Sequence, residues 1–128
     1  MGDGTSIGRV RGLGAAKEGT HHWFRQRLTA GGNILVIAWL LISLARLDGY
    51  SLAAVQTWLA SPWVAIPMVL LIVNVFYHFR LGLQVVIEDY QHDETRVVLL
   101  VLLNLYTVVL IAVGLFSVLK IAFTGAPR

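Results

Sequence analysis

Three stretches of this 128-residue chain are apolar for longer than a small soluble core can absorb: residues 31–47, 64–87 and 97–123. A helix rises about 1.5 Å per residue, so a run of roughly 17–25 apolar residues matches the hydrocarbon thickness of a bilayer. The first run is near the lower limit unless Leu28 to Ala30 join it, which sets the predicted spans at about 28–47, 64–87 and 97–123. Trp23 and Phe24 suit an interfacial anchor at the entrance of the first span. The expected fold class is therefore an all-α membrane protein with three transmembrane helices.

Composition agrees, because 57% hydrophobic and only 13% charged residues lie outside the soluble globular range. With no cysteine, the chain can build neither a disulfide nor a cysteine-ligated zinc or iron–sulfur site, so any metal must use histidine or carboxylate. The net charge of +3 does not argue for nucleic acid, since the basic residues cluster beside an apolar span where lipid headgroups account for them. Residues 1–20 are rich in glycine and small or polar residues and lack the apolar core of a signal peptide. They are expected to form a flexible arm preceding an anchor domain at 21–128.

Between the first two spans, Arg46, Asp48, Gly49 and Tyr50 break the pattern, and SLAAVQTWLASPW reads as a short amphipathic segment at the membrane surface, stopped by Pro62. Pro67 is expected in the first turn of the second span, where its missing N–H is harmless. Orientation follows from the basic residues. Arg9, Arg11, Lys17, Arg25, Arg27 and Arg96 fall on one side, and Arg46, Lys120 and Arg128 on the other, which puts the N-terminus in the cytoplasm.

Several residues interrupt the second span. His78 lies roughly 18 Å along the helix from Tyr90, placing it in hydrocarbon, while Asp89 and Tyr90 reach the boundary. At about 100° per residue, His78, Gly82, Val85 and Asp89 share a face, and Gly82 leaves a notch one turn from the imidazole. Three explanations compete for a histidine at this depth: a haem ligand, a proton relay, or a hydrogen bond to a neighbouring helix. The notch favours haem, because a flat macrocycle needs a small residue beside its ligand.

Arg80 projects about 200° from His78 and is expected to find an acidic or carbonyl partner on an adjacent chain. Gln84 projects elsewhere again. His21, His22 and His92 are expected to be solvated, and Glu88, Asp93 and Glu94 to belong to a solvated acidic loop. Tyr90 beside Asp89 is either a member of the interfacial aromatic belt or a hydrogen-bond donor to a quinone carbonyl. Arg25 and Arg27 are either positive-inside anchors or contacts for a buried anion such as a haem propionate.

The pattern His-x-x-x-Gly-x-Gln-Val-x-x-x-Asp-Tyr formed by His78, Gly82, Gln84, Val85, Asp89 and Tyr90, with the weaker RQRLTA at 25–30, resembles the small hydrophobic membrane anchor of succinate dehydrogenase (succinate:quinone oxidoreductase, complex II). The resemblance implies three spans packing with a second membrane anchor into a larger helix bundle. It implies that His78 is an axial metal ligand of haem b, the other axial histidine coming from the partner anchor. Tyr90 would bond ubiquinone, Asp89 would hold or shield that site, and Arg27 would match the motif arginine.

An iron–sulfur subunit and a flavoprotein subunit would complete the enzyme, since no flavin motif, iron–sulfur cysteines or dicarboxylate site is found here. The expected place is a bacterial inner membrane. Arg80 departs from the resemblance, standing where an apolar or aromatic residue is expected. Fumarate reductase anchors are similar in design. Two other classes compete: a small homo-oligomeric transporter using His78 and Arg80 as a relay, and a structural assembly protein whose buried polar residues fix helix register.

Overall fold

The computed structural model describes residues 17–125, which form four helices. They are α1 (Lys17–Ala45), α2 (Leu52–Ala60), α3 (Pro62–Tyr90) and α4 (Asp93–Thr124). Three of them, over Gly19–Ala45, Pro62–Tyr90 and Asp93–Thr124, are long and apolar enough to cross a membrane. The three predicted spans each lie within one of these helices, and each helix runs beyond them. α1 begins at Lys17, because HHWFRQR contains no breaker and continues the helix into the expected arm. Residues 1–16 of that arm, with Arg9 and Arg11, and Arg128 lie outside the described residues.

α3 is the central element. It packs against α1 on one side and α4 on the other, while the backbones of α1 and α4 do not approach each other closely among the described residues. The short α2 packs on α3 and α4 and is tied to α1 by Trp58 Nε1, which donates to Ser43 Oγ at 2.9 Å. Its start is capped by Ser51, whose Oγ accepts from the Ala54 N–H at 3.2 Å. The segment expected at the surface is therefore a helix bridging one end of the three spans.

Only Ala65, Leu81, Leu103 and Val118 are buried apolar residues among those described, while Leu35, Trp63, Val108, Phe116 and many others are exposed. A soluble protein of this size would hide far more. Here the apolar surface faces outward, as lipid and further helices require.

Two expectations about helix ends are corrected. Pro62 occupies the first turn of α3, so Pro67 lies inside the helix and the N–H it lacks would have served the Trp63 carbonyl. The acidic segment is no open loop. Glu88 to Tyr90 finish α3, only Gln91 and His92 connect, and Asp93 and Glu94 open α4, where carboxylates suit the positive end of the helix dipole.

Two of the polar breaks in the third span have a local account. Thr107 Oγ1 donates to Leu103 O and Ser117 Oγ to Val113 O, both at 2.8 Å, so these hydroxyls cost little in an apolar setting. Gly114 permits close approach: a Cβ there would fall 3.0 Å from Ile72 Cγ2 on α3. Gly125, at φ +73°, ends α4 in a conformation that L side chains disfavour.

Candidate functional site

The interface of α1 and α3 is polar at its centre. Thr29 and Asn33 are four residues apart on α1, Asn74 and His78 four apart on α3, so each pair lies on one helix face and the two faces meet. Asn74 Nδ2 donates to the Thr29 carbonyl at 2.8 Å and to Asn33 Oδ1 at 2.7 Å. Thr29 Oγ1 and His78 Nδ1 are 2.9 Å apart. Thr29 is buried and Asn33, Asn74 and His78 are half-buried. Of the three explanations for His78, the hydrogen bond to a neighbouring helix is thus present, and it engages only one ring nitrogen.

His78 also borders a groove of about 800 Å³ between α1 and α3. Ala30, Leu81 and Val85 give it apolar wall, while Arg25, Arg27 and Arg80 give it positive charge. The carboxylate in its lining is Glu88, whose Oε1 accepts from Gln84 Nε2 at 2.8 Å. Arg27 stacks its guanidinium over the Trp23 ring, 5.5 Å from the centroid, one turn back on α1. The groove therefore combines a short apolar wall with three arginines and one carboxylate.

His22 corrects an expectation. It lines the groove half-buried, and its Nε2 is buried without a hydrogen-bond partner among the described residues, so one of its ring nitrogens is out of reach of solvent. Helix α1 starts at Lys17 and so carries His22 into the interface. His21, which also lines the groove, and His92 are exposed as expected.

Arg80 corrects another. Its Nε donates to Asn104 Oδ1 on α4, so a carbonyl partner exists within the chain itself. Gly82 faces α1, and a Cβ there would meet Gln26 Nε2 at 3.6 Å, an ordinary contact; within this chain the notch is not sterically required. Asp89 and Tyr90 are exposed at the end of α3, beyond the groove, with Tyr90 77% exposed. The structure thus brings His78 and Arg27 to one groove with Gly82 close by, and sets Asp89 and Tyr90 apart from it.

Thr29 stands in the RQRLTA motif without an assigned role, and Asn33, Asn74 and Gly32 are not singled out by sequence reasoning. The available signal is the spacing of Asn74 four residues before His78 inside an apolar run, a second polar residue on the same face. No group of three or more histidine or carboxylate side chains placed to hold a metal ion occurs among the described residues.

Three membrane-length helices, two of them flanking a basic, histidine-bearing groove, define a multi-pass integral membrane protein with a polar helix interface. The chain belongs to the succinate dehydrogenase/fumarate reductase transmembrane subunit family, whose sequence model matches residues 1–119.

Among curated proteins it is similar to the succinate dehydrogenase hydrophobic membrane anchor subunit of Rickettsia bellii (strain RML369-C), with 35% identity over 115 residues, covering 90% of this chain and 85% of that one. The corresponding protein of Rickettsia conorii (strain ATCC VR-613 / Malish 7) is 31% identical over 86% of this chain and 91% of its own length. That of Paracoccus denitrificans is 24% identical over 87% and 86%. No solved structure matches the chain.

Proposed function

We propose that this chain anchors a succinate dehydrogenase to a bacterial inner membrane, shares haem b with a second membrane anchor, and contributes to the ubiquinone site. The observation that carries the haem reading is His78, whose imidazole borders the groove while only Nδ1 is tied to Thr29. The groove volume lies within the roughly 300–1,000 Å³ typical of small-molecule sites. Its apolar wall and arginines suit a flat apolar group carrying two carboxylates, and the buried Nε2 of His22, without a hydrogen-bond partner among the described residues, is a polar atom that such a carboxylate would satisfy.

On this reading His78 holds the iron, and Arg27, Arg25 and His22 hold the carboxylates. Bound haem would supply a one-electron redox centre, and ligation by two histidines leaves no open position for oxygen. Leu81, 2% exposed, keeps water from part of the wall. At the end of α3, Tyr90 offers a phenol donor to a quinone oxygen, with Asp89 beside it. The N-terminal end of α1 and the α3–α4 connection face the cytoplasm, where the flavoprotein and the iron–sulfur protein dock.

Purification in mild detergent tests the assembly: a flavoprotein, an iron–sulfur protein and a second three-span anchor should copurify. A reduced-minus-oxidised spectrum of that complex should contain a b-type haem, and a spectrum without one rejects haem binding. A second reading, in which His78 only fixes helix register, draws on its bond to Thr29 and predicts that haem-free spectrum.

A further inference from the structure

The hydroxyl of Thr29 meets three polar groups at once. Its Oγ1 lies 2.8 Å from the Arg25 carbonyl oxygen, 3.1 Å from that of Gln26 and 2.9 Å from His78 Nδ1. A hydroxyl has one hydrogen and two lone pairs. If the hydrogen pointed to Nδ1, the lone pairs would face two carbonyl oxygens at hydrogen-bond distance with no proton between them, a repulsive arrangement. If it points toward Arg25 O, shared with the more distant Gln26 O, the hydroxyl back-bonds to the carbonyls four and three residues earlier, and a lone pair is left to accept from an N–H on Nδ1.

We propose that Thr29 is a positioning residue that holds His78 as its Nδ1–H tautomer and so leaves the lone pair on Nε2 for a ligand in the groove. Thr29 can do this because it is itself fixed. It is 8% exposed, so water competes little, and its carbonyl is gripped by Asn74 Nδ2 at 2.8 Å. Asn74 is in turn held by Asn33 Oδ1 at 2.7 Å. The order of support runs Asn33, Asn74, Thr29, His78, alternating between α1 and α3.

The inference rests on the reading of His78 as haem ligand for its consequence, though not for its geometry. A histidine that donates its second N–H is oriented and made a stronger donor to the metal it ligates, and loss of such a partner typically costs about 10–100-fold in affinity. A stronger donor stabilises ferric iron more than ferrous iron. Removing the hydroxyl should therefore move the haem midpoint potential in the positive direction.

The test uses the intact complex with Thr29→Val, which keeps the branched shape and removes the hydroxyl, and Thr29→Ser, which keeps the hydroxyl. Expected for the valine variant are haem retention at limiting haem reduced about tenfold or more and a more positive midpoint potential; the serine variant should match wild type in both. A valine variant indistinguishable from wild type overturns the proposal, as does a serine variant that fails like valine.

A wild-type complex with no b-type haem would defeat the haem reading instead, and the tautomer is still decided by ¹⁵N solid-state NMR of the histidine-labelled, reduced complex, with the His78 signal assigned by subtracting His78→Gln. Protonated Nδ1 in wild type supports the proposal, and protonated Nε2 with bare Nδ1 overturns it. The wild-type spectrum decides even if the valine variant fails to assemble.

Discussion

A Cβ placed on Gly32 would fall 2.9 Å from Nδ2 and 3.2 Å from Oδ1 of Asn74, so α1 and α3 approach closely enough that only glycine leaves room for the asparagine. Asn74 cannot retreat freely, because its amide group donates both to Thr29 O and to Asn33 Oδ1. The close approach and the polar network are thus one arrangement. The small residue lets the helices meet, and the amide fixes the register at which they do.

Gly32→Ala should therefore displace Asn74 and weaken at least one of these bonds, at a cost of about 1–3 kcal/mol for a buried polar group left unsatisfied. The expected outcome is a lower thermal midpoint of the detergent-solubilised complex. Gly31→Ala is the control, since a Cβ there meets nothing within 4 Å and alanine is the better helix former. Equal behaviour of the two variants would reject the close approach.

His78 and His22, two of the three histidines that border the groove, should separate by spectrum. His78→Ala removes an axial bond and should weaken haem binding, any residue being five-coordinate and high-spin, held by the partner histidine. His22→Gln should leave the spectrum low-spin and affect retention only, because His22 is assigned to a carboxylate. A high-spin haem in His22→Gln together with an unchanged spectrum in His78→Ala would reverse the assignment of ligand.

The three spans are legible because hydropathy alone specifies them, and His78 and Arg27 are legible as groove residues because cations and imidazoles are rare at such positions. The support beneath His78 is not. Thr29 lies 49 residues away in sequence and Asn74 reaches across 45 to Thr29, and helical periodicity places a residue on a face without saying which residue of another helix faces it. His22 reads as solvated because polar neighbours disguise the first turns of α1. Arg80 reads as needing a partner on another chain because Asn104, 24 residues on, reads only as a break in the third span.

That last pair gives a prediction about stability rather than turnover. Asn104→Leu removes the carbonyl that accepts from Arg80 Nε and leaves a guanidinium donor unmatched at membrane depth, with an expected loss of about 1.5–3 kcal/mol for a bond to a charged group. Replacing both residues, Arg80→Leu with Asn104→Leu, removes donor and acceptor together and should recover much of the loss. Thermal midpoints of the wild type, both single variants and the double variant form the cycle. Additive effects would mean that the two residues are not coupled.

Tyr90 sits at the end of α3, exposed and roughly 18 Å along the helix from His78, so its role can be tested without disturbing the groove. Tyr90→Phe keeps the ring and its anchoring at the interface but deletes one donor to the quinone oxygen, a bond that strengthens as negative charge develops there. Quinone-dependent turnover should fall roughly tenfold or more if that strengthening is worth about 1.4 kcal/mol. Succinate oxidation with an artificial acceptor that draws electrons from the soluble part of the enzyme should be preserved, as should the haem spectrum. If both activities fall together, the tyrosine serves assembly; if neither changes, it belongs to the aromatic belt, and the donor to the quinone must come from the partner anchor.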